Sequence, residues 1–366
     1  MIDLTSRGLL ASFVLGSTAL AGGEDAWLQL DEEIASLSTN VQGAATMDIT
    51  ATLSNYYTHS SETDTGGWAF EAVRLNFRSR YEDFDMKVST ELLGGTAAIR
   101  DAFVGWDVGE STQLTWGRFK RPFSYHNLQS VGGLVFSRND INSRNEGRDN
   151  GVKLSGEVRD GTLDWFLAVQ NGDDDTAEGL RYTGRLALDV AGEGAFRRLE
   201  GAVLGRDDLD ASIGIGYGHD EADGMSFRKV GIEGAATVKG FYFATDIVDY
   251  SASDPGTVLD AALGHNLDET TPFSITATYL LKDNIELAFR HEEYDDPFDT
   301  QRTTFGFNYY MITPQVGDPS WDDSFSPTFY SILPHKAKWI IDYEDTSSDS
   351  GALEDEQVRI GFVFNS

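Results

Sequence analysis

Apolar and polar residues alternate along most of the chain from Thr46 onward, with the two-residue period of a β-strand. In residues 73–81 the odd positions are mostly apolar, whereas the even positions carry three arginines and one asparagine. The same split recurs in residues 181–190 and 336–344. A soluble β-sandwich would also alternate, but charges in the middle of a strand favour a polar face that lines water inside a barrel.

Sixteen segments show this alternation. They start near residues 47, 69, 84, 98, 112, 150, 162, 181, 211, 228, 239, 273, 285, 301, 336 and 356. The connections between them alternate in length, with short turns at 81–83, 109–111, 159–161 and 282–284 and longer stretches near 58–68, 120–149, 171–180, 249–272 and 345–355. The pattern predicts an all-β protein, a 16-stranded antiparallel transmembrane β-barrel.

Two connections break the alternation of short and long. They lie near residues 191–210 and 311–335, and both fall where a short turn is expected. The second contains four prolines, at positions 314, 319, 327 and 334, which disfavour a strand within a sheet. We interpret it as an insertion, a misplaced strand, or both.

The N-terminus predicts export. Arg7 precedes an apolar run at 9–15 and a small-x-small site at 19–21, so residues 1–21 are predicted to form a cleaved signal peptide, with a buried helix as the alternative. Residues 22–42 then predict a short helical, coiled-coil-like periplasmic arm, with a partly ordered arm as the alternative. Its apolar residues are spaced by three and four positions: Trp27, Leu30, Ile34, Leu37 and Val41. The barrel domain is predicted to span residues 43–366.

Composition supports a barrel. The chain has 38 glycines and 43 aromatic residues (22 Phe, 14 Tyr and 7 Trp), but only 8 prolines and no cysteine. Such a content suits strands and aromatic girdles, and it excludes disulfide and thiolate chemistry. The C-terminal strand has an apolar row that ends at Phe364, as is typical of bacterial outer-membrane barrels, although two residues follow it.

Charge excludes one class of partner. The formal charge of -32 disfavours nucleic-acid binding, because a phosphate backbone requires Lys and Arg. The acids form short runs that we interpret as solvated loops, or alternatively as sites of divalent-cation bridging to an anionic outer leaflet.

Candidate catalytic chemistry is sparse. The six histidines lack zinc-ligand spacing, and the chain has neither a Gly-x-Ser-x-Gly elbow nor a phosphate-binding loop. A hydrolase on the outer barrel face would need His291 with Ser274 or Ser251, and we favour an interfacial role for His291 instead. We therefore expect no enzyme activity, no cofactor and no metal site.

Several motifs carry a family resemblance. They are Asp101-Ala102-Phe103-Val104, the run from Gly117 to Ser124, the run from Gly147 to Val152, and Leu128, Ser130, Arg138 and Asn171-Gly172. With these motifs the chain resembles the phosphate-selective porin O/P family. The resemblance implies a sixteen-stranded homotrimeric porin of the bacterial outer membrane, in contact with lipid and lipopolysaccharide. Its third loop would fold inward, and basic residues would guide phosphate or polyphosphate through the barrel.

The long connection at 120–149 is rich in basic residues within an acidic chain. Arginine can meet phosphate oxygens in pairs, so this connection and strand residues predict a constriction that favours anions. The candidate residues are Arg74, Arg78, Arg118, Lys120, Arg138, Arg144 and Arg148. For any one of them the alternative is bracing of the loop, for example by pairing with Asp140, Glu146 or Asp149.

Two observations weaken the prediction of an anion path. Arg118 and Lys120 share the strand parity of the apolar Leu114 and Trp116, and the net charge opposes a general attraction of anions. We therefore expect passive diffusion of small polar solutes with a preference for anions, phosphate being one candidate. The alternative is a non-conducting structural barrel that tethers a surface layer or lipid through divalent cations.

Overall fold

A computed structural model describes residues 46–93, 97–138, 147–159, 161–172, 179–196, 200–202, 208–222, 225–252, 270–296, 298–312, 337–349 and 354–365. The predicted signal peptide at 1–21, the predicted helical arm at 22–42 and the candidate residue Arg144 lie outside this part of the chain.

The described chain forms a closed antiparallel barrel of sixteen strands, each paired with its neighbours in sequence. The strands are β1 (Thr46–Ser60), β2 (Thr65–Tyr81), β3 (Phe84–Glu91), β4 (Ala98–Gly109), β5 (Thr112–Lys120), β6 (Arg148–Val158), β7 (Leu163–Gln170), β8 (Arg181–Ala191), β9 (Asp210–Ala222), β10 (Met225–Val238), β11 (Phe241–Ala252), β12 (Phe273–Lys282), β13 (Ile285–Glu293), β14 (Gln301–Ile312), β15 (Ala337–Ser347) and β16 (Asp355–Asn365). The barrel closes where β1 pairs with β16, from Thr52 opposite Asn365 to Ser60 opposite Gln357. The predicted sixteen-stranded barrel is confirmed, and the largest error in a strand start is at β2, predicted near residue 69 and beginning at Thr65.

The connection between β5 and β6 contains two short pieces of helical structure. They are α1 (Tyr125–Leu128) and a 3₁₀ turn at Val131–Gly133. Within the described residues, no helix has the length and apolar content needed to cross a membrane.

The barrel is apolar outside and polar inside. Trp116 and Ile232 on the outward rows are 70% and 63% exposed, whereas Arg185 and Glu286 on the inner face are 2% and 0% exposed. Strand alternation produces this arrangement directly, because successive side chains point to opposite faces of the sheet. An apolar outer face and a polar inner face are expected where the outside of the barrel contacts lipid and the inside contacts water or other polar groups.

The two ends of the barrel differ. At the end that we call the turn end, β2–β3, β4–β5, β10–β11 and β12–β13 are joined by two residues each, so the short turns predicted at 81–83, 109–111 and 282–284 are confirmed. The turn predicted at 159–161 lies in a four-residue connection between β6 and β7. The opposite end, the loop end, carries the connection from 121 to 147. One expected long loop, near 58–68, is instead mostly strand, and only residues 61–64 separate β1 from β2. A ring contact of 5.5 Å between Tyr57 and Trp68 across this hairpin helps to keep it extended.

The two exceptional connections both lie at the turn end. Residues 313–336, between β14 and β15, fall outside the described chain. The flanking strands pair directly, from Gln301 opposite Ser347 to Ile312 opposite Ala337. This pairing favours an insertion over a misplaced strand. The other connection, between β8 and β9, enters the barrel.

Candidate functional site: a passage on one side of the barrel

The first part of the β5–β6 connection, residues 121–138, folds into the barrel and is called the inward loop. Phe123 is buried against β10, where a Cβ atom on Gly231 would lie 3.0 Å from the Phe123 ring. Phe136 packs against Ala288 and approaches Gly306, where a Cβ atom would lie 2.8 Å from its ring. Glycine thus leaves room on the wall for both rings. The loop leans on the side of the barrel formed by β9 to β14.

Polar contacts tie the inward loop along its length. Lys120 Nζ donates to the carbonyl oxygens of Asn127 and Gln129 at 2.8 and 2.5 Å. The Tyr125 backbone N–H donates to Glu233 Oε2 at 2.6 Å, and the Ser137 N–H donates to Asp342 Oδ2 at 2.8 Å. Because these bonds join the loop to β10 and β15, the loop is fixed across the interior.

The connection between β8 and β9 enters from the turn end and meets the inward loop. We call its described residues 193–196 and 200–202 the strap. The Ala195 N–H donates to Ser212 Oγ at 2.7 Å, and the Ala202 N–H donates to Glu286 Oε1 at 2.5 Å, which anchors the strap to the wall. The ring of Phe196 stacks on that of Tyr125 with centroids 5.0 Å apart. The strap and the inward loop therefore fill the same side of the barrel.

An open cavity of about 210 Å³ remains on the other side, between the inward loop and the wall, and we call it the passage. Four of its lining residues are cationic and one is acidic. They are Glu71, Arg74, Arg100, Lys120, Gln129, Val131, Leu134, Ser137 and Arg138.

Carboxylates of the wall hold the cations of the passage in place. Glu91 lies between two of them, 2.6 Å from Arg74 Nε and 3.5 Å from Arg100 Nη1. Arg138 Nη1 lies 3.2 Å from Glu344 Oε1 while its side chain stays 45% exposed. Partial desolvation lowers the pKa of Arg138 despite the carboxylate beside it, but an arginine remains protonated at neutral pH. The passage thus presents guanidinium groups that are both oriented and accessible.

The comparison with sequence families finds a match over the first part of the barrel. Residues 56–202 match the sequence model of the family "Phosphate-selective porin O and P". The match confirms the resemblance, and it includes every residue that lines the passage. No protein of curated function matches the chain. The family match and the barrel indicate a porin channel rather than an enzyme.

Solved structures share the fold at low sequence identity. OmpT of Vibrio cholerae, in vitro folded and in trimer form, is 12% identical with a TM-score of 0.57, over 88% of this chain and all of that one. The anion-selective porin from Comamonas acidovorans is 10% identical with a TM-score of 0.56, over 88% and 100% of the two chains. The outer-membrane channel DcaP of Acinetobacter baumannii is 11% identical with a TM-score of 0.56, over 89% and 98%.

Three of the candidate residues, Arg74, Lys120 and Arg138, come together in the passage. Arg78 lies on the same inner face of β2, opposite Lys87. Arg148 instead donates from Nε to Asp101 Oδ1 at 2.7 Å, and Lys87 shares that carboxylate at 3.1 Å. This contact favours a bracing role for Arg148.

Arg118 does not join the group. On β5 the buried Gln113 and Thr115 mark the inward row, and the exposed Trp116 marks the outward row. Strand alternation therefore places Arg118 on the outward row, and we leave it out of the proposed path. Lys120 has the same parity, but it is the last residue of β5, and its side chain bends to the inward loop.

Sequence reasoning missed Glu71 and Arg100. Regular alternation cannot place either of them, because each lies where the strand departs from it. The outward row of β2 changes from even positions at Trp68 and Phe70 to odd positions at Phe77 and Tyr81. On β4, Asp101 is opposite Ser89 but Ile99 is opposite Thr90, so the register shifts at Arg100.

Metal chemistry has no visible site in the part of the chain that the structure describes. Across those residues, no group of three or more His, Asp or Glu side chains is arranged to hold a metal ion.

Proposed function

We propose that this chain is a bacterial outer-membrane porin through which small polar solutes diffuse passively, with a preference for anions. The observation that carries the proposal is the passage, in which four cationic side chains and one carboxylate line a cavity open to solvent. A narrow channel selects ions by the charges at its constriction rather than by the net charge of the protein. Charges farther away than about 8–10 Å are largely screened at ordinary salt.

The arrangement of the guanidinium groups supports an oxyanion as the preferred solute. Arg74 and Arg100 both contact Glu91, which orients two guanidinium groups at the same point of the wall. Arginine can donate in pairs to the oxygens of phosphate or carboxylate. Phosphate is one candidate, and Glu71 on the same cavity would oppose a highly charged anion.

Assembly and environment are further parts of the proposal. A solved OmpT structure with this fold is described as a trimer, which supports a homotrimer for this chain. The outward rows of apolar and aromatic side chains would contact lipid and lipopolysaccharide of the outer membrane. We include phosphate, other small anions and these lipids as partners.

Conductance in a planar lipid bilayer tests the channel directly. The purified protein should give ohmic current steps that occur in groups of three, and added phosphate should reduce the current through the open channel. Folded protein that inserts but carries no current would contradict the proposal. Folding can be checked separately, because a folded barrel migrates differently from the heated chain on a denaturing gel.

A non-conducting structural barrel is the second candidate. It is favoured by the inward loop and the strap, which together fill one side of the interior. In this case acidic loops would tether a surface layer or lipid through divalent cations. Chelation of Ca²⁺ should then release the surface layer or lipid from the protein, whereas a porin would keep its conductance after the same treatment.

A further inference from the structure

The strap and the inward loop touch at two places inside the barrel. The Val135 N–H of the loop donates to Glu200 Oε2 of the strap at 2.9 Å, and the rings of Tyr125 and Phe196 stack nearby. All four residues are buried. The loop enters from the loop end and the strap enters from the turn end. These contacts therefore join segments that reach the interior from opposite ends of the barrel.

Glu200 also binds the wall through Arg290, whose guanidinium group contacts Glu200 Oε1. Arg290 donates to Thr276 Oγ1 of β12 at 3.0 Å and to the Arg138 carbonyl oxygen at 3.1 Å. Its guanidinium carbon lies 4.7 Å from the centre of the Phe136 ring. Strap, inward loop and wall therefore meet at one buried ion pair. Loss of one partner of such a pair leaves the other charge buried and uncompensated.

We propose that the strap is a prop that fixes the inward loop, with Glu200 as the positioning residue that sets the width of the passage. Glu200 is buried and is not among the lining residues, but it holds Val135. The neighbours of Val135 line the passage, on one side Leu134 and on the other Ser137 and Arg138. A shift of Val135 would therefore move the passage wall. This inference rests on the proposed porin function, because width matters only in a conducting barrel.

Single-channel recording of Glu200→Ala and Glu200→Gln tests the role of the prop. Glu200→Ala removes the acceptor for Val135 and the partner of Arg290, and displaced loop positions should become about tenfold more populated, equivalent to about 1.4 kcal/mol. The recording should show more frequent transitions between conductance levels. Glu200→Gln keeps an acceptor oxygen for Val135 and should lie between Glu200→Ala and the wild type. Asp220→Asn, which removes a buried acid paired with Arg181 on the wall, is the matched control and should resemble the wild type.

A second measurement does not depend on conductance. The chain contains no cysteine, so Val131→Cys introduces a single thiol on the passage. A water-soluble thiol reagent should modify it about tenfold faster with Glu200→Ala than with Glu200 intact, in barrels shown to be folded by their gel mobility. If Glu200→Ala does not fold, the same comparison is made with Glu200→Gln.

The outcomes separate this inference from the proposed function. Equal modification rates and equal current fluctuations in the folded variants and the wild type would overturn the role of the strap. A faster modification rate in barrels that never conduct would support the strap and reject the porin. Changes in both measurements would support both.

Discussion

Glu71 is the residue that most limits the anion preference of the passage. It is the acid among the lining residues, and it faces a cavity with three arginines and a lysine. A carboxylate at such a position attracts cations and repels anions, whereas the arginines attract anions and repel cations. The passage therefore carries its own counter-charge.

Replacement of Glu71 by Gln should increase the preference for anions. Removal of one charge about 4 Å from a passing ion in water changes the energy of chloride by about 1 kcal/mol and that of potassium by the same amount in the opposite direction, so the chloride-to-potassium permeability ratio should rise by roughly fivefold or more. The ratio is obtained from the zero-current voltage in a KCl gradient. Glu110→Gln, at an exposed turn between β4 and β5, is the control. An equal ratio in Glu71→Gln and the wild type would show that Glu71 does not face the ion path.

At the residue scale, the sequence predicts only side chains that obey regular alternation. Arg74 and Arg78 lie on the inner face, as the alternation from Arg74 to Tyr81 predicts, because β2 pairs with β3 in regular register over these residues. Glu71 and Arg100 were missed because local irregularities turn them inward, and such irregularities depend on pairing with distant strands. Arg118 follows its strand parity outward, as the apolar Trp116 beside it indicated.

The inward loop is an element whose stability depends on two aromatic anchors. Phe123 and Phe136 each occupy space that glycine leaves open on the wall. Removal of a buried phenyl ring costs about 3–5 kcal/mol when the cavity does not collapse. The loop should therefore loosen without loss of the barrel, because the strand ladders do not depend on it.

Phe123→Ala should increase amide hydrogen exchange in residues 121–138. A loss of about 3 kcal/mol in local stability corresponds to roughly a hundredfold faster exchange, measured by mass spectrometry. Phe84→Ala removes an outward ring that is 46% exposed, and it should leave exchange in the loop as in the wild type. Equal protection of the loop in Phe123→Ala and the wild type would mean that the aromatic anchor does not hold it.

Elements that depend on a local sequence pattern were predicted well, whereas the course of the long connections, which depends on contacts between distant residues, was predicted poorly. Alternation is a local property, and it located all sixteen strands. The inward course of the β5–β6 connection was expected only from the family resemblance. The strap was recognised as an exceptional connection, but its contacts with Tyr125, Val135 and Glu286 join residues that are distant in sequence. Periodicity carries no information about such contacts.

For the whole molecule, the outward apolar rows and the closed hydrogen-bonded sheet make the barrel stable in a lipid bilayer. Ile232 lies on the outward row near the middle of β10, opposite Ile215 on β9 and Ile247 on β11. A charged side chain there would face hydrocarbon, whereas one near the end of the same row would reach the interface.

Ile232→Lys should lower the free energy of unfolding in lipid vesicles by about 2–4 kcal/mol, and Ser226→Lys near the loop end by about 0–1 kcal/mol. Chemical unfolding followed by tryptophan fluorescence gives both values. If the two substitutions cost the same, the outward row would not span a hydrocarbon layer, and the proposed membrane location would fail.

The closed barrel could be predicted as a whole because its outer face is apolar and its inner face is polar, the reverse of a soluble protein. This arrangement leaves charged residues in the middle of strands, where the sequence shows them. The net charge of -32 was a poor guide to the site, since the passage lies among cations. Charge at the passage depends on which residues the inward loop and the wall bring together, and that is set by tertiary contacts.

The reversal potential in a KCl gradient tests the central claim, a passage on one side of the barrel that favours anions. The wild type should be anion-selective, and the double variant Arg100→Gln/Arg138→Gln should reduce the chloride-to-potassium permeability ratio by roughly fivefold or more. Arg228→Gln removes an exposed charge from the outward row of β10 and should leave the ratio unchanged. A cation-selective wild type, or a double variant with the wild-type reversal potential, would contradict the account.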